Sequence, residues 1–196
     1  MHIFLASASP RRQALLSQIS VPFSVVASTF VEAAQADDGQ SVAELAEQNA
    51  LGKARGALPL SQPGFCVGAD TVVLCEDRVM GKPRSVEDAK EMLHALSGRV
   101  HKVVSGVAVV DSHGQFVTGH AVTEVSFRVL TAEEITAYVS TGEPLDKAGA
   151  YGIQGKGALF VNEVRGCYFN VMGLPLSLMA NLLSSRFGIN LTDMWR

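Results

Sequence analysis

Phe65-Cys66-Val67-Gly68-Ala69-Asp70-Thr71-Val72-Val73-Leu74-Cys75 is a long apolar run broken only by Gly68, Asp70 and Thr71. It reads as a central strand, paired with Arg78-Val79-Met80 across an Asp-bearing turn. A carboxylate inside such a strand is costly to bury alone, so Asp70 needs a partner or a task. A structural salt bridge would satisfy it, and so would a catalytic role. Gly68, two residues earlier, opens room for a ligand or another backbone to come close.

Upstream of that strand, Ile3 to Ala6 is a short buried strand. Ser9 then stands as an N-cap, with Pro10 at the first helical position. The helix turns Ala14, Leu15, Leu16 and Ile19 towards a core, and Pro22 to Ala27 forms a second strand. Residues 28 to 40 are a polar connection rich in Ala and Asp. Ser41 and Glu44 form a capping box that opens a helix running to about Ala57.

Downstream, Gly81-Lys82-Pro83 is a turn, and Ser85 opens a helix that ends before Gly98. Val100 to Val110 and Gln115 to Leu130 are long β runs joined at Ser112-His113-Gly114. Thr131 and Glu134 form another capping box, and Gly142 closes that helix. Residues 143 to 157 are expected to be a long functional loop, Ala158 to Val164 a strand, and Pro175 to Phe187 the last helix. Helices alternating with strands, with hairpins between, predict an α/β protein: a mixed twisted sheet with helices on its faces.

The 196 residues suit one domain, or one domain with a lobe added at a sheet edge. A net charge of −3 does not suit a partner that is a nucleic-acid polymer, which demands a basic face. Cys66, Cys75 and Cys167 form no CxxC and no zinc-spaced cluster, which fits reduced thiols in the cytoplasm. The opening residues lack the pattern of a signal peptide, and no segment has the run of ~20 apolar residues that a membrane span needs. Walker A and GxGxxG motifs are absent, and none of the five histidines sits in a nucleophile pattern.

Several residues can carry chemistry. Ser7-Ala8-Ser9-Pro10-Arg11-Arg12 places two hydroxyls and two guanidiniums where a strand feeds a helix, a natural phosphate cradle. The same residues also read as a capping serine and two solvated arginines. Lys53 and Lys82 are candidate phosphate contacts or solvated lysines. Glu32 is either an exposed loop acid or a companion to Asp70 on a magnesium ion. Gln154, set among Gly149, Gly152, Gly155 and Gly157, has an amide suited to reading a base edge, or belongs to an ordinary surface loop.

At these residues the sequence resembles the Maf family of nucleotide pyrophosphatases, also called septum-formation-inhibitor-like proteins. The resemblance runs through Leu5-Ala6-Ser7-Ala8-Ser9-Pro10-Arg11-Arg12, Gly68-Ala69-Asp70-Thr71-Val72-Val73 and Gly81-Lys82-Pro83. It continues through Leu96-Ser97-Gly98, the run from Asp146 to Gly155, and Val171-Met172-Gly173-Leu174-Pro175.

The resemblance implies an elongated Maf/ITPase-like fold with a central cleft. Residues 1–196 would form a single domain, with room for two lobes around a nucleotide. The implied reaction hydrolyses nucleoside triphosphates, dTTP and UTP above others, to the monophosphate and pyrophosphate. Asp70 would be the general base. Ser7, Ser9, Arg12, Lys53 and Lys82 would hold the phosphates. Arg11, Thr71 and Gln154 would set base specificity. Glu32 and Asp70 would place a divalent cation, Mg2+ or Mn2+. A homodimer is compatible with the family. The rival readings are a non-enzymatic nucleotide-binding regulator of septum formation, a nucleotidyltransferase, and an enzyme that clears modified nucleotides.

Overall fold

A computed structural model describes residues 2–33 and 39–195. Its core element is a seven-stranded mixed sheet. The strands are β1 (Ile3–Leu5), β2 (Phe23–Val25), β3 (Phe65–Cys75), β4 (Arg78–Met80), β5 (Val100–Asp111), β6 (Phe116–Phe127) and β7 (Val161–Arg165). Their order is β2-β1-β3-β5-β6-β7, with β4 paired to β3. The principal helices are α1 (Pro10–Gln18), α2 (Val42–Arg55), α3 (Val86–Leu96), α4 (Ala132–Ser140), α5 (Tyr168–Val171) and α6 (Leu176–Phe187). The expected α/β class and the central position of β3 are what the structure shows.

The chain divides into two compact units. The first comprises Met1–Asp70, Ser105–Ala121 and Gly173–Arg196. Here β1 runs parallel to both neighbours, with Ile3 opposite Phe23 on one side and Phe65 on the other. Parallel neighbours need crossovers, and α1 and α2 supply them. The α2 helix begins at the predicted Ser41–Glu44 box, in which each side chain meets the other residue's backbone N–H. Its Ala46, Ala50 and Ala54 lie fully buried at successive four-residue steps. That stripe of small side chains meets glycines on the sheet. A Cβ on Gly68 would overlap the Ala50 carbonyl oxygen, and one on Gly106 would overlap the Ala46 carbonyl. Glycine at both positions therefore seats the helix backbone directly on the strands. Of the polar connection between β2 and α2, residues 34–38 lie outside the described residues.

The second unit comprises Thr71–Val104 and Val122–Met172. It contains β4, β7, α3, α4, α5 and the remaining parts of β3, β5 and β6. Leu93, Leu96, Phe127, Ile135, Tyr138 and Phe160 are central to its core. Both α3 and α4 carry the predicted N-caps, Ser85 and Thr131. Residues 143–157 are more ordered than a plain loop. Glu143–Asp146 and Ala148–Ala150 are short 3-10 turns, and a third spans Lys156–Phe160. The last strand therefore starts at Val161, three residues later than expected from its apolar start. Gly142 adopts a left-handed conformation where it closes α4, as expected, and Gly149 adopts another between the short turns. The β6 strand ends at Phe127 rather than Leu130, because Arg128 N–H donates to the Phe160 carbonyl and Leu130 N–H to Ser97 Oγ. The short α5 and the Leu191–Trp195 turn had no sequence signal. Among the described residues, no helix is long and apolar enough to cross a membrane.

Candidate active site

The close seating of α2 on β3 brings Lys53 to Asp70. Lys53 Nζ lies 2.7 Å from Asp70 Oδ1 and 2.8 Å from Glu32 Oε1, and it donates to the Ala69 carbonyl at 3.2 Å. An ammonium has three N–H donors, and here three acceptors surround it. Lys53 and Asp70 are both buried, whereas the Glu32 side chain is 49% exposed. Glu32 is thus the accessible member of the cluster.

Asn49, one helical turn before Lys53, is a residue that sequence reasoning passed over. Its Nδ2 donates to Asp70 Oδ2 at 3.0 Å and to the Ala33 carbonyl at 2.9 Å. Its Oδ1 accepts from Ala33 N–H at 3.0 Å. One buried amide therefore orients the carboxylate and anchors the segment bearing Glu32. The other end of that segment is held on α2 as well, because Thr29 N–H donates to the Gly56 carbonyl and the Phe30 ring covers Gly52. The available signal was spacing: Asn49 and Lys53 stand four apart, on one face of the helix.

The junction of β1 and α1 forms as expected around Ser9 and Pro10, but Ser9 makes no side-chain capping bond. Ser7 Oγ instead accepts from Ser9 N–H at 3.3 Å and from Arg12 Nη1 at 3.1 Å. Arg12 Nε donates to the Gly173 carbonyl at 2.7 Å, which fixes the guanidinium. The first turn of α1 holds no acidic residue. Burial lowers the pKa of Arg12, while Asp70 and Glu32 oppose that shift and Arg11 adds to it. These couplings place Arg12 within electrostatic reach of both carboxylates, and a guanidinium stays charged throughout. The first unit thus gathers Ser7, Ser9, Arg11, Arg12, Glu32, Lys53 and Asp70.

The oxygen donors of Glu32 and Asp70 converge on one point, which the Lys53 ammonium occupies. Hard oxygen donors suit magnesium or manganese. Among the described residues, no three His, Cys, Asp or Glu side chains gather to cage a metal. Two carboxylates still fit such an ion, because Mg2+ is typically held by one or two carboxylates with substrate phosphates and water.

Thr71, Lys82 and Gln154 belong to the second unit. Thr71 follows Asp70 on β3 and so faces the opposite side of the sheet. Lys82 and Gln154 are exposed. Gly149 N–H donates to the Gly81 carbonyl at 3.1 Å, which ties the Lys82 turn to the glycine-rich segment. Within that segment Lys147 Nζ lies 2.6 Å from Asp146 Oδ1. Buried below, His101 Nε2 lies 2.9 Å from the Tyr151 hydroxyl, and burial pushes the imidazole down to about 4. Burial also pushes the Cys66 thiol up to about 12, which makes it an inert core group.

A family model described as Maf-like protein matches residues 2–186. A protein of Desulforamulus reducens named dTTP/UTP pyrophosphatase is 45% identical over 192 residues, covering 96% of this chain and 98% of the relative. A protein of the same name from Moorella thermoacetica is 49% identical over 194 residues, covering 98% and 97%. Another, from Bacillus cereus, is 45% identical over 190 residues and covers 97% of each chain. With the family match spanning nearly its whole length and relatives of this identity end to end, the chain belongs to the Maf-like protein family.

Proposed function

We propose that this protein hydrolyses nucleoside triphosphates, dTTP and UTP above others, to the monophosphate and pyrophosphate. The observation that carries the reading is the buried Asp70, held by Lys53 and Asn49. The names of the relatives support the choice of dTTP and UTP.

In this reading Asp70 is the general base. Among the described residues each of its oxygens accepts one hydrogen bond, which leaves a second lone pair for water. Removing a proton from the attacking water in this way contributes ~10²–10⁴-fold. Arg12 and Lys82 offset charge on the triphosphate, and Ser7 and Ser9 add hydroxyl contacts at the helix start. Lys53 orients Asp70, and its contact with a phosphate oxygen requires Glu32, its most exposed partner, to give way. Arg11, Thr71 and Gln154 select the base. A divalent cation held by Glu32 and Asp70 would neutralise phosphate charge when bound.

The test is product analysis with dTTP, UTP, CTP and GTP, with and without manganese. Pyrophosphate and monophosphate released from dTTP and UTP support the proposal. Orthophosphate release points to a phosphatase, and binding without turnover points to a regulator.

A further inference from the structure

Gln154 sits at the exposed tip of a short glycine-rich bend, a poor place from which to read a base unless the bend is held. Its ends meet two side chains. At one end Gly152 N–H donates to the Tyr138 hydroxyl at 3.0 Å. At the other, Lys156 N–H donates to Glu143 Oε2 at 3.1 Å and Gly157 N–H to Glu143 Oε1 at 3.4 Å. The two side chains are themselves joined, since the Tyr138 hydroxyl donates to Glu143 Oε1 at 2.9 Å.

The rest of the neighbourhood fixes this pair. The Tyr138 ring is buried and packs edge-on against Phe160, with ring centroids 4.9 Å apart. Lys147 Nζ donates to the Glu143 carbonyl at 2.7 Å. Gly155 and Gly157 lie so close that a Cβ on either would strike Glu143 or the Tyr138 hydroxyl. The glycines therefore serve close approach to the pair. Burial raises the Tyr138 phenol, so it remains a donor. At Glu143 burial pushes the carboxyl up, but the Lys156 N–H, the Tyr138 hydroxyl and the Gly157 N–H outweigh it and hold the acid ionised.

We propose that Tyr138 and Glu143 are specificity-positioning residues: they clamp both ends of the 152–157 bend and so fix the amide of Gln154 for base recognition. The inference rests on the proposed function and on Gln154 as its base reader. Neither residue touches substrate; both act through the loop.

Tyr138→Phe and Glu143→Met keep the approximate size of the side chains and remove the clamp's hydrogen bonds. The experiment measures kcat and KM for dTTP, UTP, CTP and GTP in parent, Gln154→Ala and both clamp variants, with amide hydrogen exchange of each. Tyr138→Phe is expected to speed exchange at Gly152, and Glu143→Met at Lys156 and Gly157. The kcat/KM preference for dTTP over CTP should narrow roughly three- to tenfold, the scale of one lost hydrogen bond, chiefly through KM. Faster exchange with the base ranking intact would make the clamp purely structural and overturn the proposal. A changed ranking with exchange unaltered would overturn it too. A parent that releases no pyrophosphate sinks the functional reading and this one together. A ranking that collapses in Gln154→Ala but survives in both clamp variants sinks the clamp alone.

Discussion

The carbonyl oxygen of Ala50 occupies the space that a side chain on Gly68 would need. This one approach sets the distance between α2 and β3, and with it the meeting of Lys53 and Asp70. Gly68→Ala must push the helix outwards. Overpacking of this kind costs ~1–3 kcal/mol, so urea unfolding should shift to lower denaturant. Turnover should fall as well, because Lys53 moves with the helix. A variant with parent stability and parent turnover would show that the helix seat does not matter.

Asp70→Asn keeps the size of the side chain and removes the base. Pyrophosphate release from dTTP should drop ~10²–10⁴-fold while calorimetric binding of dTTP persists. Lys53→Met, in contrast, leaves a buried carboxylate without its cation. Losing one partner of a buried pair costs ~3–5 kcal/mol. Asp70→Asn breaks the same pair but leaves Lys53 with Glu32 and the Ala69 carbonyl, so Lys53→Met should be the less stable of the two. A melting temperature for Lys53→Met equal to the parent's would argue against the ion pair as a structural element.

Asn49→Leu keeps the branched shape of the side chain but removes three hydrogen bonds, including both to the Ala33 backbone. Leaving buried polar partners unsatisfied costs ~1–3 kcal/mol. The loop bearing Glu32 should loosen, and amide exchange at Ala33 should quicken. Turnover should fall more than the loss of stability accounts for, because Asp70 also loses its orienting donor. Exchange at Ala33 that matches the parent would remove Asn49 from this role.

His101 predicts a pH dependence of stability. Its folded imidazole titrates at about 4 against an ordinary 6.5, because burial disfavours the charged form. Between those values the unfolded chain binds a proton that the folded protein refuses. Stability from this group is therefore complete above pH 6.5 and declines as pH falls towards 4. At ~1.4 kcal/mol per unit the full effect is roughly 3 kcal/mol. His101→Phe should flatten the unfolding free energy across that range relative to the parent. Parallel curves for the two proteins would assign the acid sensitivity elsewhere.

Much of the fold was legible in the residues. The capping boxes at Ser41 and Thr131, Pro10 at a helix start and Gly142 at a helix end are local signals, and each marks the element boundary found. The run from Phe65 to Cys75 gave the central strand to the residue. The region from Glu143 to Phe160 was read less well. Its 3-10 turns depend on Glu143 accepting backbone N–H groups more than ten residues away, and no local pattern encodes that. Asn49 was missed for the same reason: a polar residue on a helix declares nothing until Ala33 and Asp70 come alongside it.

The sequence alone determined the alternation of helices and strands, the centrality of β3 and the residue types available for phosphate chemistry, because periodicity, capping and turn chemistry act over a few neighbouring positions. It also marked Asp70 as a carboxylate that required a partner. Only the tertiary structure decided that the partners are Lys53, which also holds Glu32, and Asn49, which also holds the Ala33 backbone. That choice depends on how closely α2 approaches the sheet, and the approach is fixed by small residues far apart in the chain whose packing against one another no local rule can specify.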